Sequence, residues 1–418
     1  MEFQYLPVAS VLHNEEDKNN IISEYSDRLN SLGGACIKKW NEFRNIPLCF
    51  FVATGGTEET ILEIWEHAQD AFDVQYIVLI AHPFQNSLPA ALEMLARFGQ
   101  LGVPGEICYL EDAEDDQGFK KLVRIIKDVN VFNELRNSRL GCIGTPSSWL
   151  VASTPHAAAL KKLWGVELVS IGMEPLYEEI ENASKEDAEK LIDKFNAAAA
   201  EKIEPSIEDQ IQAARVYLGL KKVVEKNKLN AVTIRCFDLV DEKNTTGCYA
   251  LSLLNDEGIT AGCEGDMVSA LGLMWTKKLL GEMSWMANPA QVNVGTNTLT
   301  LAHCTVPCSL LDTYTIRSHF ESSIGMAIQG NMRRGDVTLL RIGGIELDKL
   351  WIAEGTIVST SKKEQMCRTQ IDVKLHSASV QELLTDPLGN HLIVVPGRHM
   401  RHLYSWWRKI IKGHPSKE

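Results

Sequence analysis

No CxxC pair, no glycine-rich phosphate loop, no basic stripe and no membrane-length apolar run occurs in the sequence, and each absence removes a class of function. Without CxxC pairs or short-domain cysteine spacing, the ten scattered cysteines read as buried thiols of a reducing cytoplasm rather than a disulfide framework. Cys304 and Cys308 are the one close pair, and a zinc site would need a second. The segment "TGGTEE" is too short and lacks the lysine of a P-loop, and GxGxxG is missing, so a nucleotide site is not expected. A net charge of −13 without clustered Lys and Arg argues against nucleic-acid or anionic-membrane partners. No stretch reaches the roughly 18 to 20 uncharged residues of a membrane span, and the first residues lack the basic and apolar regions of a signal peptide. A soluble cytoplasmic protein is expected.

What remains is an ordinary globular composition, 45% hydrophobic and 23% charged, over 418 residues, too many for one core. Short apolar runs alternate with amphipathic stretches over the first two-thirds, the pattern of a parallel sheet covered by helices. "IPLCFFVAT" and "VQYIVLIA" read as buried strands followed by the loops "GGTEE" and "HPFQNS". A long helix to Arg136 gives way to the strand "SRLGCIG", the loop "TPSSWLVAS", an acidic helix "EEIENASKEDAEKLIDKFNAAAAEKI" and a helix opened by a Ser206/Asp209 capping box. Past residue 286 the runs "NTLTLAHCTV", "GDVTLLRIGG" and "KLWIAEGTIVST" alternate as antiparallel strands do. The expected fold is α/β: two Rossmann-like domains at 1–136 and 137–285, then a β-rich domain at 286–418 ending in a closing helix.

Two carboxylates stand one residue apart in "AGCEGDM". Asp266 immediately precedes a helix whose Met267, Ala270, Leu271 and Met274 share a face, so an N-cap accounts for it. Glu264 lies between Gly262 and Gly265, where a charge gains nothing structurally and needs a partner or water. Histidines gather in the last third: His303, His319, His391, His399 and His402. Imidazoles beside carboxylates are what a Mn²⁺ or related divalent site requires.

Several stretches together, "TGCYALSLLNDEGITAGCEGDMVSALGLMW", "ANPAQVNVGTNTLTLAHCTVP", "HFESSIGMAIQGNMRRGDVTLLRI" and "GNHLIVVPG", resemble the L-fucose and L-arabinose isomerase-like family of metal-dependent ketol isomerases. "NSLPAALEMLA" and "GTPSSWLVAS" are similar to loops of that family's two N-terminal domains, and the match is densest from Thr246 to Ile342. The resemblance implies Mn²⁺ held by two acidic residues and a histidine, gripping adjacent oxygens of an open-chain sugar while a carboxylate moves the proton between C1 and C2. Glu264 matches the first acidic ligand and proton carrier, His391 the C-terminal histidine ligand, and His303 a further ligand of the arabinose isomerase branch. Asn288 stands where the second acid is expected; asparagine offers one neutral oxygen and accepts no proton. Asp266 is a second catalytic candidate, for a substrate hydroxyl. His319 is a candidate for substrate binding, as are His82 and Asn86, since the family builds its sites between subunits; a helix-initiating loop explains the last pair as well. A homo-oligomer, trimer or hexamer, acting on a free or modified monosaccharide follows. The alternative is a sugar-binding paralogue without turnover.

Overall fold

The computed structural model describes residues 2–44, 47–72 and 76–413, which divide into two compact units. One runs to Glu134 and includes the chain from Ser405 on; the other is Leu135–Tyr404.

The first unit is a parallel sheet of β1 (Phe3–Val8), β2 (Gly34–Cys36), β3 (Leu48–Val52), β4 (Ile77–Ala81) and β5 (Gly105–Tyr109), in the order β2-β1-β3-β4-β5. Every residue of β3 and β4 is buried, as continuous apolar runs in a sheet covered on both faces must be. The terminal aromatic segment belongs to this unit: Trp406, Trp407, Ile410 and Ile411 are buried, and Trp406 Nε1 donates to the Asp128 carbonyl at 2.9 Å. Lys409 of this segment pairs with Glu106 at 2.8 Å.

In the second unit β6 (Arg139–Ile143), β7 (Glu167–Ile171), the two-residue β8 (Glu201–Lys202), β9 (Ala231–Ile234) and β10 (Thr260–Gly262) come first. There follow β11 (Trp285–Asn293), β12 (Thr298–His303), β13 (Leu311–Arg317), β14 (Ala327–Met332), β15 (Asp336–Gly343), β16 (Lys349–Ser361), β17 (Thr369–Leu375) and β18 (Leu392–Pro396). A parallel sheet β10-β9-β6-β7 and a closed antiparallel barrel β11-β12-β17-β16-β15-β18 result, with a small sheet β14-β13-β8 beside them. The α/β architecture with an antiparallel β part is the one expected from the sequence. The acidic stretch expected as one helix is two, Glu174–Glu181 and Lys185–Ala198, because Ser184 caps the second by accepting the Asp187 N–H. The Ser206/Asp209 capping box opens the helix Ile207–Lys226 as expected.

The helix Met267–Leu280 positions the site. It lies against β10 on one side and β15 and β18 on the other, so every residue from Met267 to Thr276 is buried rather than one face alone. Gly272 permits this approach, since a Cβ there would sit 2.9 Å from Ile393. Among the described residues no helix is long and apolar enough to cross a membrane.

Candidate active site

β10 ends at Gly262, and the chain turns sharply through Glu264 and Gly265 before the helix begins. Both turn residues are left-handed, Glu264 at φ +62° and Gly265 at φ +71°. Glycine adopts that conformation freely; a glutamate holds it at a cost on the order of 1 kcal/mol or more, which the surroundings must supply. They do so through the loop after β6 and the end of β9: Ser147 N donates to the Glu264 carbonyl at 2.9 Å, and Gly265 N to the Ile234 carbonyl at 2.8 Å. A Cβ on Gly265 would meet Pro146 Cα at 2.7 Å, so glycine is required there twice over. The strained turn therefore stands at the carboxyl edge of the parallel sheet, where ligands bind in such sheets.

The barrel supplies two imidazoles to this turn. His303 ends β12 and His391 immediately precedes β18; both are buried. Their Nε2 atoms lie 3.9 and 3.5 Å from Glu264 Oε1. The other ring nitrogens are tethered. His391 Nδ1–H donates to Asp266 Oδ2 at 2.8 Å, and His303 Nδ1 bonds the Thr305 hydroxyl at 2.8 Å. Tethering Nδ1 fixes each ring and turns the Nε2 lone pair outward, as a metal ligand needs. His391 Nε2 is fully buried and has no hydrogen-bond partner, although every buried polar atom normally finds one. Glu264, His303 and His391 all offer ligand atoms within 4.8 Å of one another, and this is the one group of three or more His, Cys, Asp or Glu among the described residues that can hold a metal ion.

The charges match this grouping. Burial alone would raise the Glu264 pKa, but the imidazoles of His303 and His391 beside it outweigh this and hold the carboxyl well below its usual range. Burial would lower His391, but Asp266 and Glu264 raise it to about 9. Asp266 is likewise held low despite burial, by Arg341 and His391.

Asp266 is the cap that its place before the helix suggests. Its Oδ1 accepts the Ser269 N–H at 2.8 Å, and Oδ2 accepts from the Ser269 hydroxyl, from Arg341 Nη1 at 3.1 Å and from His391. Fully buried, it spends both oxygens on protein donors and orients His391. Asn288 is half-buried on β11, paired in register with Ala302 beside His303, just before a bulge at Pro289. His319 follows β13; its ring meets Phe237 edge-on at 5.7 Å, and Phe237 meets Trp149 at 5.0 Å. His82 and Asn86 lie in the first unit. His82 is buried, donating Nε2–H to the Ala53 carbonyl at 3.1 Å and accepting the Phe84 N–H at Nδ1, and Asn86 precedes the helix Ser87–Gln100. His399 Nε2–H donates to the Pro396 carbonyl.

Two participants escaped sequence reading. Trp149 Nε1–H donates to Glu264 Oε2 at 2.7 Å, and Arg341 Nη1 pairs with Asp266 Oδ2 at 3.1 Å. Arg341 had a signal: an arginine inside "VTLLRIGG" demands a buried acid, and Asp266 heads an equally apolar segment. A tryptophan in a serine- and proline-rich loop was the weaker signal for Trp149.

A carboxylate and two oriented imidazoles are gathered where a parallel sheet's edge meets a barrel, a donor set able to hold a metal ion. The comparisons make this specific. The L-arabinose isomerase central domain matches residues 153–282. The sulfoquinovose isomerase of Alkalicoccus urumqiensis is 21% identical over 287 residues, covering 66% of this chain and 64% of that protein. That of Clostridium sp. (strain MSTE9) is 24% identical over 298 residues, covering 69% and 66%. The chain thus matches just under two-thirds of the length of these relatives. Over residues 153–282 it resembles the L-arabinose isomerase central domain, and over about two-thirds of its length it is similar to sulfoquinovose isomerases.

Proposed function

We propose that the protein is a Mn²⁺-dependent aldose–ketose isomerase acting on a monosaccharide. The observation that carries this reading is the Glu264, His303 and His391 cluster, with both Nδ1 atoms tethered and a buried Nε2 left without a partner. Glu264, His303 and His391 would hold the cation, with Asn288 as a neutral oxygen donor from β11. A divalent cation bound there supplies positive charge beside the adjacent oxygens of an open-chain sugar, where negative charge develops. Glu264 takes the proton from C2 of the aldose and returns it to C1, while the O2 proton passes to O1, so that one C–H bond breaks and another forms with nothing consumed. Asp266 holds His391 in place, and Thr305 holds His303.

The relatives' names make sulfoquinovose the first sugar to test, ahead of L-fucose and L-arabinose. Working sites built between subunits, in a trimer or hexamer, account for large apolar side chains left exposed in two sets of loops: Val11, Leu12 and Phe84 in the first unit, and Val151 in the second. Ten free cysteines fit a reducing cytoplasm.

A sugar-binding protein without turnover is the second reading, favoured by Asn288, which cannot share a proton relay with Glu264. Incubation with Mn²⁺ and each aldose in deuterated water, followed by NMR, separates the two. Ketose bearing deuterium at C1 supports the isomerase. Sugar binding with no ketose and no exchange selects the second reading.

A further inference from the structure

We infer that Trp149 positions the Glu264 carboxylate and presents the open face of its indole to the apolar face of the sugar; this rests on the isomerase reading above. The two carboxylate oxygens have different neighbours. Oε1 faces the two imidazoles at 3.5 and 3.9 Å, and Oε2 accepts the indole N–H at 2.7 Å. A carboxylate free to rotate would exchange these oxygens, and the indole hydrogen bond prevents the exchange without adding charge.

A purely structural tryptophan does not look like this one. Trp164, Trp275, Trp285 and Trp406 are fully buried, whereas Trp149 is 50% exposed. Exposing half an indole is costly unless something covers it, and a ring with one polar end tied and one apolar face open is the form tryptophan takes at binding surfaces. The C–H face of a pyranose or of its open chain is the complementary surface. Phe237 braces the indole with its ring plane nearly perpendicular at 5.0 Å, and His319 extends the aromatic row.

The loop carrying Trp149 is clamped to the same turn it serves. Ser147 N bonds the Glu264 carbonyl, Leu150 N bonds the Ser147 carbonyl at 2.9 Å, and Ser153 N bonds the Leu150 carbonyl at 3.1 Å. The Ser153 hydroxyl then accepts from Arg341 Nη2 at 2.6 Å, the arginine that also pairs with Asp266. One loop therefore braces Glu264 from its backbone, its side chain and the charge beneath it.

Two substitutions separate the two roles. Trp149→Phe keeps an aromatic face and deletes the N–H; Trp149→Ala deletes both. With Mn²⁺-loaded protein and sulfoquinovose, Trp149→Phe should lower kcat about tenfold or more with KM nearly unchanged. Trp149→Ala should lower kcat similarly and raise KM about tenfold as well. Calorimetric titration with Mn²⁺ alone should show weaker binding to Trp149→Phe, and titration with the alditol of sulfoquinovose should show weaker binding to Trp149→Ala than to Trp149→Phe. Wild-type kcat in Trp149→Phe, with Glu264→Gln inactive, overturns the positioning role and leaves the isomerase reading standing. Wild-type KM and alditol affinity in Trp149→Ala overturn the stacking role. If the wild type turns over no aldose, the isomerase reading falls, and Trp149 is judged by the two titrations: unchanged Mn²⁺ and alditol affinities overturn it.

Discussion

Each parallel sheet carries histidine chemistry near its carboxyl edge, but the rings are wired differently. At the edge of the first sheet His82 is buried with both nitrogens engaged, Nε2–H on the Ala53 carbonyl and Nδ1 on the Phe84 N–H. At the edge of the second, His303 and His391 arrive from barrel strands with Nδ1 tethered and Nε2 turned toward Glu264. The first histidine ties its own loop to the residue that follows the neighbouring strand β3. The other two are held from behind and free in front, which is the wiring of a ligand. What makes one edge a candidate site is thus the barrel packed over it, which contributes rings the sheet does not possess.

The comparison breaks first at Glu264. Glu264→Gln should reduce kcat about 10³-fold or more, since it removes the proposed proton carrier without changing shape. Thermal unfolding near the wild-type midpoint would show that the fold survives. Substantial turnover in this variant would move the base elsewhere and leave the two edges chemically alike.

Beneath the ligands, Asp266→Asn should cost about 3 to 5 kcal/mol in urea unfolding, because it leaves the buried Arg341 charge unpaired. Arg341→Met combined with Asp266→Asn should recover much of that loss. A cost under about 1 kcal/mol would mean that the pair is solvated and that His391 is not held as described.

Mn²⁺ at a hundred times its Kd should raise the unfolding free energy by about 2.7 kcal/mol. His303→Asn or His391→Asn should erase most of that gain, whereas His82→Asn should leave it intact while costing about 1 to 2 kcal/mol of its own through two lost hydrogen bonds. Equal effects of all three substitutions on the Mn²⁺ gain would abolish the distinction between the edges.

The smallest effect is also the most discriminating. Burial holds His82 below its ordinary pKa, so its contribution to stability is full above pH ~6.5 and falls as the medium becomes more acidic. In metal-free protein His391 is raised to about 9, so its contribution is full below the unfolded pKa and is lost as pH rises through that value. Urea midpoints from pH 5 to 10 in chelator, compared with His82→Asn and His391→Asn, should show slopes of opposite sign. Slopes of the same sign would remove the electrostatic half of the comparison.

Much of this was legible in the residues. Unbroken apolar runs such as "LCFFV" and "IVLIA" announced strands buried on both faces, and Asp266 before "MVSALGLM" announced a cap. Glu264 stood out because a charge between glycines in an apolar segment needs a reason. The acidic stretch was read as one helix although Ser184 and Asp187 stand at the spacing of Ser206 and Asp209, because helix-favouring residues flank Ser184 on both sides. Trp149 and Arg341 were missed, since each acts through a partner far along the chain, 115 residues away in one case and 75 in the other.

By itself the sequence determined the local elements, the α/β order followed by antiparallel strands, and the residue types able to bind a cation. These are properties of neighbouring residues, set by side-chain period, turn chemistry and helix ends. Only the tertiary structure decided that His391 meets Asp266 across 125 residues, that His303 and His391 keep Nε2 for Glu264 while His82 spends both nitrogens, and that a half-exposed tryptophan donates to the carboxylate. The physical reason is that a hydrogen bond is made or lost within a few tenths of an ångström, and approach at that scale is set by how sheet, helix and barrel pack together, which no local pattern of residues records.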